Sequence, residues 1–223
     1  MARIAIKPDT KTMIFAAAER LFAERGFADV SMRDITSAAA VNLAAVNYHF
    51  GSKDELLVAL FVDRVTPLNR ERATLLRDAE ARAGGTAPLQ DLLHALLAPP
   101  LRWWLGPNRA LAVSVRFLVR AYAETTPGIR AVLDKDVAHL ERFLQALGRT
   151  LPSLSHAELA WRLHFALGVQ HYTISERRRL EALSAGACDL SDVEAIIRRV
   201  IEFTAAGFAG ETAKAAAPRR RRG

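Results

Sequence analysis

Between residues 46 and 56 the chain reads VNYHFGSKDEL. Asn47 brings an amide that donates and accepts at once, Tyr48 a phenol and His49 an imidazole, and Lys53 follows a Gly-Ser break. Groups of these types serve either catalysis or recognition. Catalysis would need partners, and the sequence holds no G-x-S-x-G, no phosphate-binding G-x-x-x-x-G-K-[ST], no H-E-x-x-H and no pair of cysteines. Recognition needs only that the groups share an exposed face. Their natural targets are then base edges, where an amide pairs with adenine, and phosphates, which bind cations, hydroxyls and helix N-termini.

The elements that must position these groups read as helices throughout, because strand-like alternation is missing. Residues 10–25 carry Ile14, Ala18, Leu21 and Phe22 at helical spacing, and Gly26 stands where a C-cap belongs. Short helices follow at 31–38 and 42–49, joined by a tight connection. The first is expected to bury Met32 or Ile35 with Ala38, the second Val41, Val46 and Phe50. That leaves Leu43, Ala44, Ala45, Asn47 and Tyr48 outward: a small, mostly apolar face without charge. A solvated helix would carry Lys or Glu there, whereas a helix entering a major groove about 12 Å wide needs small residues, methyl-contacting groups and an amide. Ser31, Arg33 and the N–H groups beginning the first short helix suit phosphates, and Tyr48, His49 and Lys53 could grip the backbone beyond the reading face. Packing of Tyr48 and His49 between helices is the competing reading.

A longer helix opens at Lys53 and is broken or kinked at Pro67, with a further helical stretch to about Arg82. Helical patterns then run over 89–98, 108–124, 128–149, 156–183 and 192–208, separated by PP, GPN, TTPG, LPSLS and SAGACDLS. Ser31 with Asp34, Ser52 with Glu55, Ser155 with Glu158 and Ser191 with Glu194 have the spacing of capping boxes.

The totals bound the function. The 223 residues carry 31 cations against 24 anions, but Arg219, Arg220, Arg221 and Arg222 supply four of the net +7. Residues 1–60 balance seven cations with seven anions, so basicity alone does not point to nucleic acid. The single cysteine, Cys188, excludes an internal disulfide, and residues 1–11 lack a leader's apolar run. With no apolar run near the roughly 20 residues of a membrane helix, a cytoplasmic, non-membrane protein is expected. His164 and His171 lie seven apart without acidic companions, so no metal site and no cofactor is expected.

Residues 10–62, through AAERLFAERGF, SMRDITSAAAV and above all VNYHFGSKDELL, resemble the DNA-binding domain of the tetracycline-repressor (TetR) family. The resemblance implies an all-α, homodimeric transcriptional regulator, usually a repressor and not an enzyme. Residues 1–62 would be a three-helix helix-turn-helix domain that binds double-stranded operator DNA. Residues 63–210 would bind a small effector and dimerise, and 211–223 would form a basic, disordered tail. Carried over by position, Met32, Arg33, Leu43, Ala44, Ala45, Asn47, Tyr48, His49 and Lys53 fall on the DNA. The family usually has Gly in the turn where this chain has Ala40, which puts the turn geometry in question. LPSLSHAELAWRLHFALGV, with VDRVTPLNRE, is similar to the branch that answers fatty acids or their CoA thioesters.

In the larger domain, helix 156–183 is apolar on two sides and 192–208 on one. A four-helix interface across a twofold axis is expected from Leu163, Leu167, Gln170, Ile174, Ile197, Val200, Ile201 and Phe208, against the alternative of a helix central in a monomer. Trp103, Trp104, Phe117, Leu118, Phe143, Trp161 and Phe165 are candidate pocket residues. Arg116 and Arg120 either anchor an anionic effector or, for Arg120, pair with Glu124 at i+4. The reading is an effector-responsive, dimeric DNA-binding regulator. An enzyme with a small helical domain, and a regulator without ligand control, are the rivals.

Overall fold

The computed structural model describes residues 9–135 and 137–210, so the tail expected at 211–223, with Arg219–Arg222, lies outside the described residues. Among these there are eleven α-helices and no strand: α1 (Thr10–Arg25), α2 (Met32–Ala39), α3 (Leu43–Phe50), α4 (Lys53–Arg82), α5 (Leu89–Leu105), α6 (Arg109–Ala123), α7 (Pro127–Lys135), α8 (Ala138–Thr150), α9 (His156–Ser175), α10 (Arg177–Leu183) and α11 (Val193–Ala209).

Local chemistry sets most helix starts. The Asp9 carboxylate accepts from Thr12 N–H at 2.6 Å and opens α1. Ser31 and Asp34 close a reciprocal capping box on α2, Asn42 accepts from Ala45 N–H at 2.7 Å on α3, and Ser52 and Ser155 cap α4 and α9. The fourth expected cap moves by one residue: Asp192, not Ser191, starts α11, because Ser191 is engaged by Asp189 and Glu194 is drawn into a bidentate pair with Arg102.

Several expected breaks are not breaks. α4 continues through Pro67, and α5 continues through Pro99 and Pro100 to Leu105 rather than stopping at 98. Packing overrides propensity here, since Ala98, Pro99, Pro100 and Leu101 are all buried. Pro100 has no N–H to offer the Leu96 carbonyl, and Arg72 Nε donates to that carbonyl instead at 2.9 Å. Conversely, the stretch expected as one helix over 128–149 divides into α7 and α8, and that over 156–183 divides at Glu176 into α9 and α10.

Two apolar cores share the molecule. The first gathers Ile14, Phe22, Ile35, Val46, Leu56 and Phe61 from α1–α4, but also Phe117, Leu118 and Ala121 of α6 and Ile129 of α7. The second packs α5 and α11 together with α4, α8 and α9. α2 buries Ile35, Thr36 and Ala39, while Ala38, expected inside, faces solvent. Inside the second core Arg162 of α9 donates to the carbonyls of Gly207, Phe208 and Gly210, capping the C-terminal end of α11. No described helix is long and apolar enough to cross a membrane.

Candidate nucleic-acid interface and effector cavity

α2, its turn and α3 form a helix-turn-helix. Ala40 in the turn has φ 53° and ψ 42°, the left-handed region. An L side chain there costs about 1 kcal/mol against glycine. Ala40→Gly is therefore expected to stabilise the protein by about that amount, raising Tm by roughly 2–4 °C. Thermal unfolding checks this; an unchanged or lower Tm means the turn carries no strain.

Val46 and Phe50 bury the inner face of α3 and fix its rotation. Leu43, Ala44, Asn47, Tyr48 and His49 are exposed and Ala45 is half-buried. Tyr48 is 86 % exposed, so packing between helices does not explain it; its ring meets that of His49 edge-on at 5.4 Å. Arg33 is exposed in the first turn of α2 and Met32 is half-buried against the core. The Ser31 hydroxyl donates to Asp34 at 2.6 Å, and this bond with the Ser31 N–H holds the Asp34 carboxyl below the usual carboxylate range. Lys53 differs from its expected role as a phosphate grip. Its ammonium donates to the Phe27 and Val30 carbonyls at 2.8 and 3.0 Å, tying the α1–α2 loop to α4.

The larger module reaches this unit through α4 and α6. Glu19 of α1, buried, accepts from Arg64 of α4 at 2.7 and 3.0 Å and from the Ser114 hydroxyl of α6 at 2.6 Å. Glu124, just past α6, accepts from Phe27 N–H at 2.9 Å while pairing with Arg120 at 2.6 Å. The approach is close: at Gly26 (φ 92°) an added Cβ would sit 2.9 Å from Arg120 Nη1.

Between α4, α6, α7, α8 and α9 lies a cavity of about 560 Å3 walled by Leu68, Val115, Leu118, Leu133, Leu140 and Ile174, together with Arg72, Arg130, His139, His164 and His171. Of the expected effector residues Leu118 lines it and the others do not. Phe117 is fully buried between Phe22 and Phe27, because α6 docks on α1. Arg120 is held by Glu124. Arg116 is exposed over the Trp104 ring at 5.5 Å. Trp103 donates to Glu71 at 2.8 Å and both tryptophans pack on the cores. Phe143 lines a separate cleft of similar size with Asn69, Arg70 and Arg142. Trp161 and Phe165 are each 59 % exposed.

The expected dimer residues are also displaced. Leu163, Gln170, Ile174, Ile197, Val200, Ile201 and Phe208 are buried within the subunit, and Leu167 lines the cavity. Their stripes are claimed by α5 and by the mutual packing of α9 and α11. The outward stripe of α9 is instead Trp161, Phe165 and Tyr172, the first two stacked at 5.6 Å, and α11 adds Phe203, 71 % exposed. Sequence reasoning missed Arg72 and Tyr122, and it separated the two stripes of this helix but gave Trp161 and Phe165 to the pocket and the other stripe to the partner.

The fold and the reading helix define a helix-turn-helix transcriptional regulator. Residues 14–60 match the family model for bacterial regulatory proteins of the tetR family, and residues 94–207 match that for the tetracyclin repressor-like C-terminal domain. The chain belongs to the TetR family, whose members are DNA-binding transcription factors rather than enzymes. No curated protein sequence matches. Among solved structures, the transcriptional regulator FadR from Bacillus subtilis in complex with stearoyl-CoA is 17% identical over 88% of this chain and 98% of its own, with a TM-score of 0.59. SmeT, the repressor of the Stenotrophomonas maltophilia multidrug efflux pump SmeDEF, is 21% identical over 89% and 90%, TM-score 0.59. The TetR family transcriptional regulator PfmR from Thermus thermophilus is 18% identical over 86% and 96%, TM-score 0.58.

Proposed function

We propose that the protein is a repressor that binds a palindromic operator as a homodimer and leaves it when a small hydrophobic effector, a fatty acid or acyl-CoA, enters the cavity between α4, α6 and α9. One observation carries this: the two helices that hold the DNA-binding unit also wall the cavity. α4 contributes Leu68 and Arg72 to the wall and Arg64 to Glu19; α6 contributes Val115, Leu118 and Tyr122 to the wall, Ser114 to Glu19 and its C-terminal end to Phe27. An effector that prefers one arrangement of α4 and α6 therefore biases the spacing of the two reading helices. DNA binding requires a spacing of about 34–36 Å, one helical turn. The effector acts only through its differential affinity for the two arrangements, worth about 1–3 kcal/mol. The stearoyl-CoA held by the FadR of the same fold supports the effector class.

Selection of bound fragments from genomic DNA, followed by mobility shift on the enriched site, tests the reading. The expected result is an inverted repeat bound by two subunits and released by fatty acids or acyl-CoA. Enrichment of no sequence overturns it; a bound palindrome that ignores every added lipid favours a regulator with another effector or none.

A further inference from the structure

The wall of the cavity holds a buried cation. Arg72 is 6 % exposed, sits on the inward stripe of α4 and reaches the cavity. Its described hydrogen bonds go to uncharged oxygens: the Leu96 carbonyl at 2.9 Å, Gln170 Oε1 at 3.2 Å and Asn69 Oδ1 at 3.3 Å. Pro100 explains the first, and it fixes the guanidinium plane against α5. Burial lowers the guanidinium from its ordinary value to about 10, which still leaves it protonated at neutral pH. Burial outweighs the favourable charge interactions with Tyr122 and Glu71, so the cation is costly and an anion in the cavity would complete it.

The rest of the wall points the same way. Arg130, His139, His164 and His171 also face the cavity, and among the described residues no carboxylate lines it. Apart from Tyr122 and Gln170 the remainder is apolar, mainly Leu68, Leu118, Leu133, Leu140, Leu167 and Ile174. The volume, about 560 Å3, lies within the roughly 300–1,000 Å3 of clefts that enclose a small molecule. A cationic ligand would meet like charge, and a neutral hydrocarbon would leave Arg72 as it is. A CoA thioester would set an uncharged carbonyl against the guanidinium and leave its phosphates outside a cavity of this size.

We propose that the cavity selects an amphipathic molecule with a free carboxylate, the acid pairing with Arg72 and the apolar tail lying along Leu118, Leu140 and Ile174. This rests on the reading of the cavity as the effector site and narrows it to free acids over their thioesters. Nε is held by the Leu96 carbonyl, and a carboxylate would take the remaining N–H of Nη1 and Nη2 beside their bonds to Asn69 and Gln170. Gln170, holding Arg72 from α9, is the positioning residue that keeps the fork turned inward.

The test uses the full chain and reads ligand-dependent melting shifts and calorimetric affinities. Decanoic, tetradecanoic and octadecanoic acids are each compared with their methyl esters and CoA thioesters. At least one acid is expected to bind about tenfold or more tightly than its ester, the worth of a charged hydrogen bond. Equal affinities for acid and ester, binding by the thioesters alone, or no binding by any acid overturns the inference. Arg72→Gln, which keeps a donor for the Leu96 carbonyl, is expected to erase the preference; a retained preference in a folded variant moves the anion elsewhere and overturns the assignment. If that variant does not fold, the wild-type comparison still decides. Mobility shift on the selected operator runs alongside. A protein that shifts the operator but binds no acid loses this inference and keeps the regulator reading; one that binds the acids but selects no DNA keeps the inference and loses that reading.

Discussion

Trp161→Glu combined with Phe165→Glu is expected to leave a folded monomer that no longer holds an operator. In the isolated subunit these side chains stack on each other at 59 % exposure each, alongside exposed Tyr172 and, on α11, Phe203. Large apolar groups gathered on one face of a regulator argue for a partner, and the simplest is a second copy related by a twofold axis. Gly207 is exposed on α11 with nothing within 4 Å of an added Cβ, so a partner helix can approach closely there. Each residue occurs twice across a twofold interface, so four aromatic anchors are lost; even at about 1 kcal/mol each the dimer dissociation constant rises on the order of a thousandfold, and burying carboxylates raises it further. Operator affinity falls with it, because each half-site is then bound alone. Sedimentation reads the mass, and circular dichroism shows the subunit intact, since neither residue belongs to a core cluster. A double variant that remains a dimer places the interface on another face.

The same two stripes of α9 show where sequence reasoning stops. Leu163, Gln170 and Ile174 read as apolar or uncharged just as Trp161 and Phe165 do, and periodicity announces two faces without saying which belongs to the subunit. That choice is made by α5 and α11, far away in the chain. Phe117 is a similar case: its aromatic ring suits a pocket, but α6 docks on α1 and Phe22 and Phe27 enclose it. The helix-turn-helix was legible because its determinants are local. Ser31 with Asp34, Ser52 with Glu55 and the inward pair Val46 and Phe50 lie within a few residues of what they control. Arg72 hides in the charged run NRERATLLRD, yet it falls on the stripe Val65, Leu68, Leu76 and Ala79, every other member of which is buried. An arginine on an apolar stripe, with a Pro-Pro pair later in the chain, is a sequence signal for a buried cation. Its significance depends on knowing which carbonyl the proline leaves unpaired.

Asn47→Ala is expected to weaken binding to the selected operator by about 10–100-fold and binding to random DNA much less, the cost of one bidentate adenine contact being about 1–3 kcal/mol. Asn47 is exposed on α3 between Ala44 and Tyr48, on the face left free when Val46 and Phe50 anchor the helix. An amide there has no structural duty, so its loss costs little stability and the effect is read on DNA alone. The comparison variant is Arg33→Ala, because Arg33 stands exposed in the first turn of α2, where backbone N–H groups and the helix dipole already favour a phosphate. The variant loses one such phosphate contact in each subunit, weakens both DNAs alike and reduces the slope of log affinity against log salt by about 1.8 for the dimer. Lys53 is a poor comparison: its bonds to the Phe27 and Val30 carbonyls mean that Lys53→Ala also loosens the α1–α2 loop and lowers Tm. Equal losses for Asn47→Ala on operator and random DNA would remove its base-reading role and assign specificity to Leu43, Ala44 and Tyr48, whose apolar contacts read thymine methyls rather than adenine edges.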